Sequence, residues 1–180
     1  MTTFFTADTH FGHKNIIQHC RRPFSDVDNM TRLLIQNWNE VVTPYDTVYH
    51  LGDISFLNRQ KTAEIVNQLA GTIHLVRGNH DGAKGTFYED LFESVSEFKT
   101  IKVEGQSIVL CHYALKVWNN SHHGAWNLHG HSHGNLEDDP HALQWDVGVD
   151  SNHYYPVSFE TLQVIMANKT YKPVDHHGRD

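Results

Sequence analysis

The 180-residue chain is poor in cysteine, in positive charge and in long apolar runs, and each shortage removes a class of protein. Two cysteines, Cys20 and Cys111, supply neither a disulfide framework nor a C-x-x-C pair. Cys111 closes an apolar run, so a packed thiol is expected there, ahead of a metal ligand or nucleophile. Fourteen lysines and arginines stand against twenty-one acidic residues, a formal charge of −7. Such a surface repels a long polyphosphate backbone, so extended nucleic-acid binding is not expected. No apolar run nears the roughly 20 residues that span a bilayer, and Met1-Thr2-Thr3-Phe4-Phe5 lacks the basic and long apolar regions of a signal peptide. A cytoplasmic protein with no membrane partner is the expectation. Repeats, low-complexity stretches and linkers are also missing. A hydrophobic content of 39% with 19% charge then fits one domain large enough to bury its own core. That domain is expected over residues 1–170, followed by a loose polar tail over 171–180.

What the chain has in excess is histidine, sixteen in all. Histidine is the commonest transition-metal ligand and the usual proton shuttle. The histidines are not scattered. Five apolar runs each end abruptly in ligand chemistry: Phe4-Phe5 before Asp8-Thr9-His10, Val48 to Leu51 before Gly52-Asp53, Ile73 to Val76 before Gly78-Asn79-His80-Asp81, Ile108 to Cys111 before His112, and Trp126 to His129 before Gly130-His131-Ser132-His133. Alone, each is an ordinary strand-ending turn. Strands that end in ligands gather those ligands at the carboxyl edge of a sheet, where open α/β folds place their sites.

Between these runs the pattern predicts helices. A short one is expected over Lys14–Cys20 and a longer one from an Asp28 cap to about Val42, with Met30, Leu33, Leu34, Trp38 and Val41 on one face. Another runs from Arg59 to Ala70, with Ala63, Val66, Leu69 and Ala70 inward and Gly71 as its stop. Thr100 to Val103 alternates, and Glu104-Gly105 turns it into Ile108 as a hairpin. Leu143 to Val149 reads as a late strand, and Ser158 caps a last helix through Ala167.

The five motifs in this order resemble the calcineurin-like metallophosphoesterase superfamily, from about Asp8 to His133. Phe11-Gly12-His13-Lys14-Asn15-Ile16 and Trp38-Asn39-Glu40-Val41-Val42 further resemble its short prokaryotic and phage-encoded members. The resemblance implies an α/β fold, a mixed two-sheet sandwich flanked by helices in a single domain, with no room for a cap. It implies two divalent transition-metal ions, Mn²⁺ first, with Fe, Zn²⁺, Ni²⁺ or Co²⁺ as alternatives for a mixed N/O donor set. Asp53 would bridge them; Asp8, His10 and His133 would complete one site, and Asn79, His112 and His131 the other. A hydroxide between the ions would be the nucleophile. His80 would face the substrate and protonate the leaving oxygen, with Asp81 holding its orientation. Gly52 and Gly78 stand where a side chain would crowd the ligands. His13 and Arg22 are candidate contacts to phosphate, and His50 and His129 candidate supports behind the ligands. Trp118, His122, His123 and Trp126 form a loop that either stacks a ring or packs. His176 and His177 are assigned no function.

Phosphoprotein phosphatases and the similar dinucleoside-polyphosphate hydrolases carry Asp-Arg-Gly soon after the second motif's aspartate, whereas here Asp53 is followed by Ile54-Ser55-Phe56-Leu57. A small phosphodiester, a nucleotide or a related ester, is therefore the expected substrate, with phosphomonoester hydrolysis as the alternative. A non-catalytic scaffold would be expected to show eroded site positions, and all of them are intact. The sequence leaves the oligomeric state open.

Overall fold

The computed structural model describes residues 1–82 and 89–174. His176, His177 and most of the expected tail lie outside the described residues. Among the described residues nine strands form two sheets. In the first, β1 (Thr3–Thr6), β2 (Thr47–His50) and β3 (Thr72–Val76) run parallel, with Phe5 opposite Tyr49 and His50 opposite Leu75. β4 (Ser94–Ser96) extends the edge beside β3, and β9 (Val157–Ser158) lies antiparallel on β1. In the second sheet β5 (Lys99–Val103) and β6 (Gln106–Leu110) form the expected hairpin. β7 (Trp126–His129) and β8 (Gln144–Asp146) then continue it in parallel. The hairpin turn has Glu104 at φ 49° and Gly105 at φ 90°, the double positive φ that matches strand twist.

Alternation along the strands sorts side chains into two cores. Phe4, Val48, Ile73 and Leu75 point toward the helices α1 (Ile16–His19), α2 (Val27–Val41) and α3 (Arg59–Val66), meeting Ile16, Met30, Leu34, Trp38 and Ile65. Phe5, Val76, Ile108, Leu110 and Leu128 form the second core, where Phe159, Leu162 and Met166 of α4 (Phe159–Ala167) join them. Trp126 is buried there against Phe159, which removes it from any ring-stacking role.

Several local expectations shift. The cap of α2 is Asp26, whose side chain accepts from Asn29 N at 2.8 Å, and Asp28 lies inside the first turn. α3 ends at Val66; Val66 and Leu69 are buried and Ala70 packs on the core as expected, while Ala63 is half-buried and Thr62 and Ile65 are buried beside them. β4 and β9 were not expected; they are short edge segments whose pairing, not their composition, makes them strands. Among the described residues no helix is long and apolar enough to cross a membrane.

The topology settles what the site receives. β1, β2, β3, β6 and β7 are the strands that carry the five motifs, and all are parallel to a neighbour within their sheet. Their carboxyl ends hand the chain to the turns at 7–10, 51–53, 77–81, 111–112 and 130–133. Gly130 N donates to His112 O at 3.0 Å within the second sheet, and His131 N donates to Asp8 Oδ2 at 2.8 Å between sheets.

Candidate metal centre

The turns that carry the ligands are strained. Ten non-glycine residues among those described have positive φ, and five are expected ligands: Asp8 (59°), His10 (51°), Asp53 (56°), His131 (68°) and His133 (48°). A left-handed backbone costs a non-glycine residue about 1 kcal/mol or more and persists only where the surroundings over-determine it. Here they do. Asp8 N donates to Gly52 O at 2.9 Å and His10 N to Asp53 O at 3.0 Å, so the first two ligand turns are laced to one another. Close approach completes the lacing: a Cβ on Gly78 would lie 2.2 Å from Asp53 Oδ1, and one on Gly130 would lie 2.4 Å from Asp8 Oδ2. At these positions hydrogen is the only side chain that fits.

The side chains converge. Asp53 Oδ2 stands 3.6 Å from His10 Nε2 and 3.6 Å from His112 Nε2. His10 Nε2 is 3.9 Å from Asp8 Oδ1, and His112 Nε2 is 3.1 Å from Asn79 Oδ1 and 3.2 Å from His131 Nδ1. His112 Nδ1 donates to Leu51 O at 2.7 Å, which leaves Nε2 facing Asp53 and Asn79. His133 Nδ1 donates to Asp150 Oδ2 at 2.7 Å and likewise frees Nε2. Burial, then the field of His133 and Arg22, holds the His10 pKa far below the ordinary imidazole value, so its nitrogens are neutral at physiological pH. Burial first, then the charges of Asp53 and Asp146, pushes the Asp8 carboxyl well up; burial likewise raises Asp53.

Acceptors facing acceptors in a buried space repel unless a cation lies among them. Asp8 Oδ1 and His10 Nε2 are both buried with no hydrogen-bond partner. Donor atoms of Asp8, His10 and His133 all lie within 4.8 Å of one another, and so do those of Asp8, Asp53 and His112. Neutral imidazoles, carboxylates and an amide oxygen are the donor set of a divalent transition metal, so the residues fit the group that the sequence resemblance implies.

Two expectations are corrected. Arg22 does not reach substrate: its side chain is fully buried beneath the site. It makes a bidentate pair with Asp150 (2.8 and 2.7 Å) and donates to the carbonyls of Asp8 (2.7 Å) and Thr9 (3.1 Å). One guanidinium therefore clamps the strained first turn and, through Asp150, the His133 ring. Asp81 does not orient the His80 ring. Its carboxylate accepts from the backbone N–H groups of Asp53 (2.6 Å), Ile54 (2.9 Å) and Gly78 (2.8 Å), fixing the two turns against each other.

The remaining residues fall into two layers. His80 lies at the exposed rim, Nε2 3.9 Å from Asp53 Oδ2, with its own N–H donating to Asp53 Oδ1 at 2.9 Å. His13 sits beside it, half-buried, Nδ1 3.4 Å from His10 Nδ1. Behind the ligands, His50 is fully buried with Nε2 3.0 Å from Thr9 Oγ1, and His129 is buried in β7. Cys111 is a buried free thiol. The sequence reading missed Asp150; its one visible signal is the apolar Val147-Gly148-Val149 before it, the same run-then-ligand pattern as the five motifs.

Comparison with known proteins agrees with this geometry. Residues 1–143 match the calcineurin-like phosphoesterase superfamily domain. An uncharacterized protein of Methanocaldococcus jannaschii is 37% identical over 166 residues, 88% of this chain and 88% of its own. The gene 66 protein of Mycobacterium phage L5 is 30% identical over 181 residues, covering 83% of this chain and 86% of its own. Among solved structures, a protein of unknown function from Aquifex aeolicus superposes with a TM-score of 0.70 at 25% identity, over 91% of this chain and 98% of that one. The chain belongs to the calcineurin-like phosphoesterase superfamily.

Proposed function

We propose that this chain is a divalent-metal-dependent phosphodiesterase acting on a small nucleotide or related diester, with two transition-metal ions, Mn²⁺ first among them. The observation that carries this reading is Asp53 Oδ2, 3.6 Å from Nε2 of both His10 and His112. A carboxylate so placed faces both donor groups and would serve both ions. Asp8, His10 and His133 would complete one site, and Asn79, His112 and His131 the other. When bound, such ions supply Lewis-acid charge to the phosphoryl oxygens and bring the pKa of water toward about 7.

The chain's own groups do the rest. His80, at the open side of the cluster, delivers the proton to the leaving oxygen. His13, on the same side, donates a hydrogen bond to a phosphoryl oxygen. Asp8 and Asp53 place negative charge near the reaction centre, and no arginine follows Asp53. The chain as a whole carries a formal charge of −7, and a diester, with one charge fewer than a monoester, meets less of that repulsion on approach. The test is a hydrolysis panel of bis-p-nitrophenyl phosphate, p-nitrophenyl phosphate and 2′,3′-cyclic nucleotides with Mn²⁺, Ni²⁺ and Mg²⁺. The reading expects higher kcat/KM for the diesters with Mn²⁺. A higher value for p-nitrophenyl phosphate would assign a phosphomonoesterase instead.

A further inference from the structure

Phe56 has no task in either core. It follows Asp53 by three residues, its ring is 39% exposed, and it stands outside both apolar clusters, although its neighbour Leu57 packs against one. The ring instead touches three imidazoles of the site. It stacks on His13 with centroids 3.9 Å apart and planes 15° apart, and lies 4.6 Å from His80 and 5.2 Å from His10. Its backbone is pinned: Phe56 N donates to Phe11 O at 2.9 Å, and Phe11 N to Ile54 O at 2.9 Å. Ser55, paired with Phe11 across a β-bridge, adds a hydroxyl contact to Thr62 at 2.9 Å. The ring is a wall fixed to the same turn that carries Asp53.

His80 lacks a comparable anchor for its side chain. The imidazole is 45% exposed, and its closest ionic contact is the 3.9 Å approach to Asp53 Oδ2. Among the described residues no hydrogen bond reaches its ring nitrogens, and the carboxylate of Asp81 is turned to the backbone. A solvent-facing imidazole with two free torsions samples several rotamers. Proton delivery needs one of them, and a misplacement of about 1 Å can cost roughly 10²-fold in rate. Packing against a fixed ring selects one rotamer while leaving both nitrogens free to exchange protons with substrate and water.

We propose that Phe56 is a positioning residue that sets the His80 imidazole toward the leaving-group oxygen, by ring packing where a hydrogen-bonded carboxylate is missing. The proposal rests on the general-acid role of His80. Phe56 itself touches no reacting atom.

The experiment compares wild type, His80→Ala, Phe56→Ala, Phe56→Leu and Phe56→Tyr at equal metal content. Two diesters are used: bis-p-nitrophenyl phosphate, whose leaving group departs without a proton, and 2′,3′-cyclic AMP, whose ribose alkoxide needs one. Phe56→Ala and Phe56→Leu are expected to lower kcat on the cyclic ester roughly 10- to 100-fold and on the aryl ester by no more than about threefold. KM should change little on either, and Phe56→Tyr, which keeps the ring, should recover the wild-type ratio of the two rates. Equal losses on both esters, or no loss, overturn the proposal if His80→Ala still depresses the cyclic ester selectively. If His80→Ala spares the cyclic ester, the general-acid role fails first and the positioning role with it.

Discussion

Asp8, His10, Asp53 and His112 are at most 2% exposed, whereas the His80 side chain on the same centre is 45% exposed. The two regions are held by different means. On the floor, Asp8, His10 and Asp53 sit on left-handed backbone, and backbone hydrogen bonds, close-packed glycines, Asp81 and the Arg22–Asp150 pair fix each turn against another. At the rim, His80 and His13 are held by ring packing on Phe56. The floor holds its carboxylates close through these bonds, and the rim keeps the His80 ring nitrogens open to a substrate. In the proposed mechanism metal binding draws on the floor together with Asn79 and His131, which are themselves exposed, and leaving-group chemistry on the rim.

The widest separation between them comes from a pair of substitutions. Asp53→Asn removes a charge from the oxygens shared by both donor groups, and should abolish hydrolysis together with metal retention. His80→Ala should keep its metal while kcat falls roughly 10²–10⁴-fold, the usual worth of a positioned general acid. Metal analysis alongside kinetics checks both; metal release from His80→Ala would move that residue to the floor. Gly78→Ala crosses the comparison, because it alters the turn that carries the rim residue His80 while its new methyl would strike Asp53 Oδ1. It should therefore lose metal, and a variant with full metal content would show that the floor can yield.

A smaller effect is expected behind the floor. Asp150→Ala frees the His133 ring and leaves Arg22 buried without its carboxylate. Metal affinity should fall about 10- to 100-fold and stability by about 3–5 kcal/mol, read by metal titration and denaturant melts. Asp150→Asn should lose less of both.

The smallest expected effect is a pH dependence. Burial holds the His50 pKa down to about 4, against 6.5 for the free side chain. The unfolded chain then takes up a proton that the folded chain refuses. Stability from this group is complete above pH 6.5, declines as pH falls toward 4, and levels off below. The window amounts to about 3 kcal/mol at roughly 1.4 kcal/mol per unit. Denaturant melts at pH 7 and pH 4.5 should show a smaller loss in His50→Gln than in wild type.

The comparison also marks what a reader of the sequence can see. The floor ligands were legible because each ends an apolar run, and parallel strands must deliver such ends to one edge. The hairpin at Glu104-Gly105 and the Ser158 cap were legible because local chemistry alone decides them. Asp26 and Asp28 both offer a capping carboxylate, and only the entry angle of the chain chooses between them. Arg22 read as a phosphate contact because nothing local tells that Asp150, distant in sequence, meets it beneath the site. The turn of Asp81 to the backbone was illegible for the same reason: orientation of a rim histidine is a tertiary property with no period in the chain.

The most direct test of the account is a titration of metal-free protein with Mn²⁺, following bound metal and hydrolysis of bis-p-nitrophenyl phosphate together. If Asp53 joins two donor groups, binding saturates at two equivalents, activity requires the second, and Asp53→Asn shows neither. Full activity in excess chelator, or saturation of activity by a single ion, would contradict the shared-carboxylate centre.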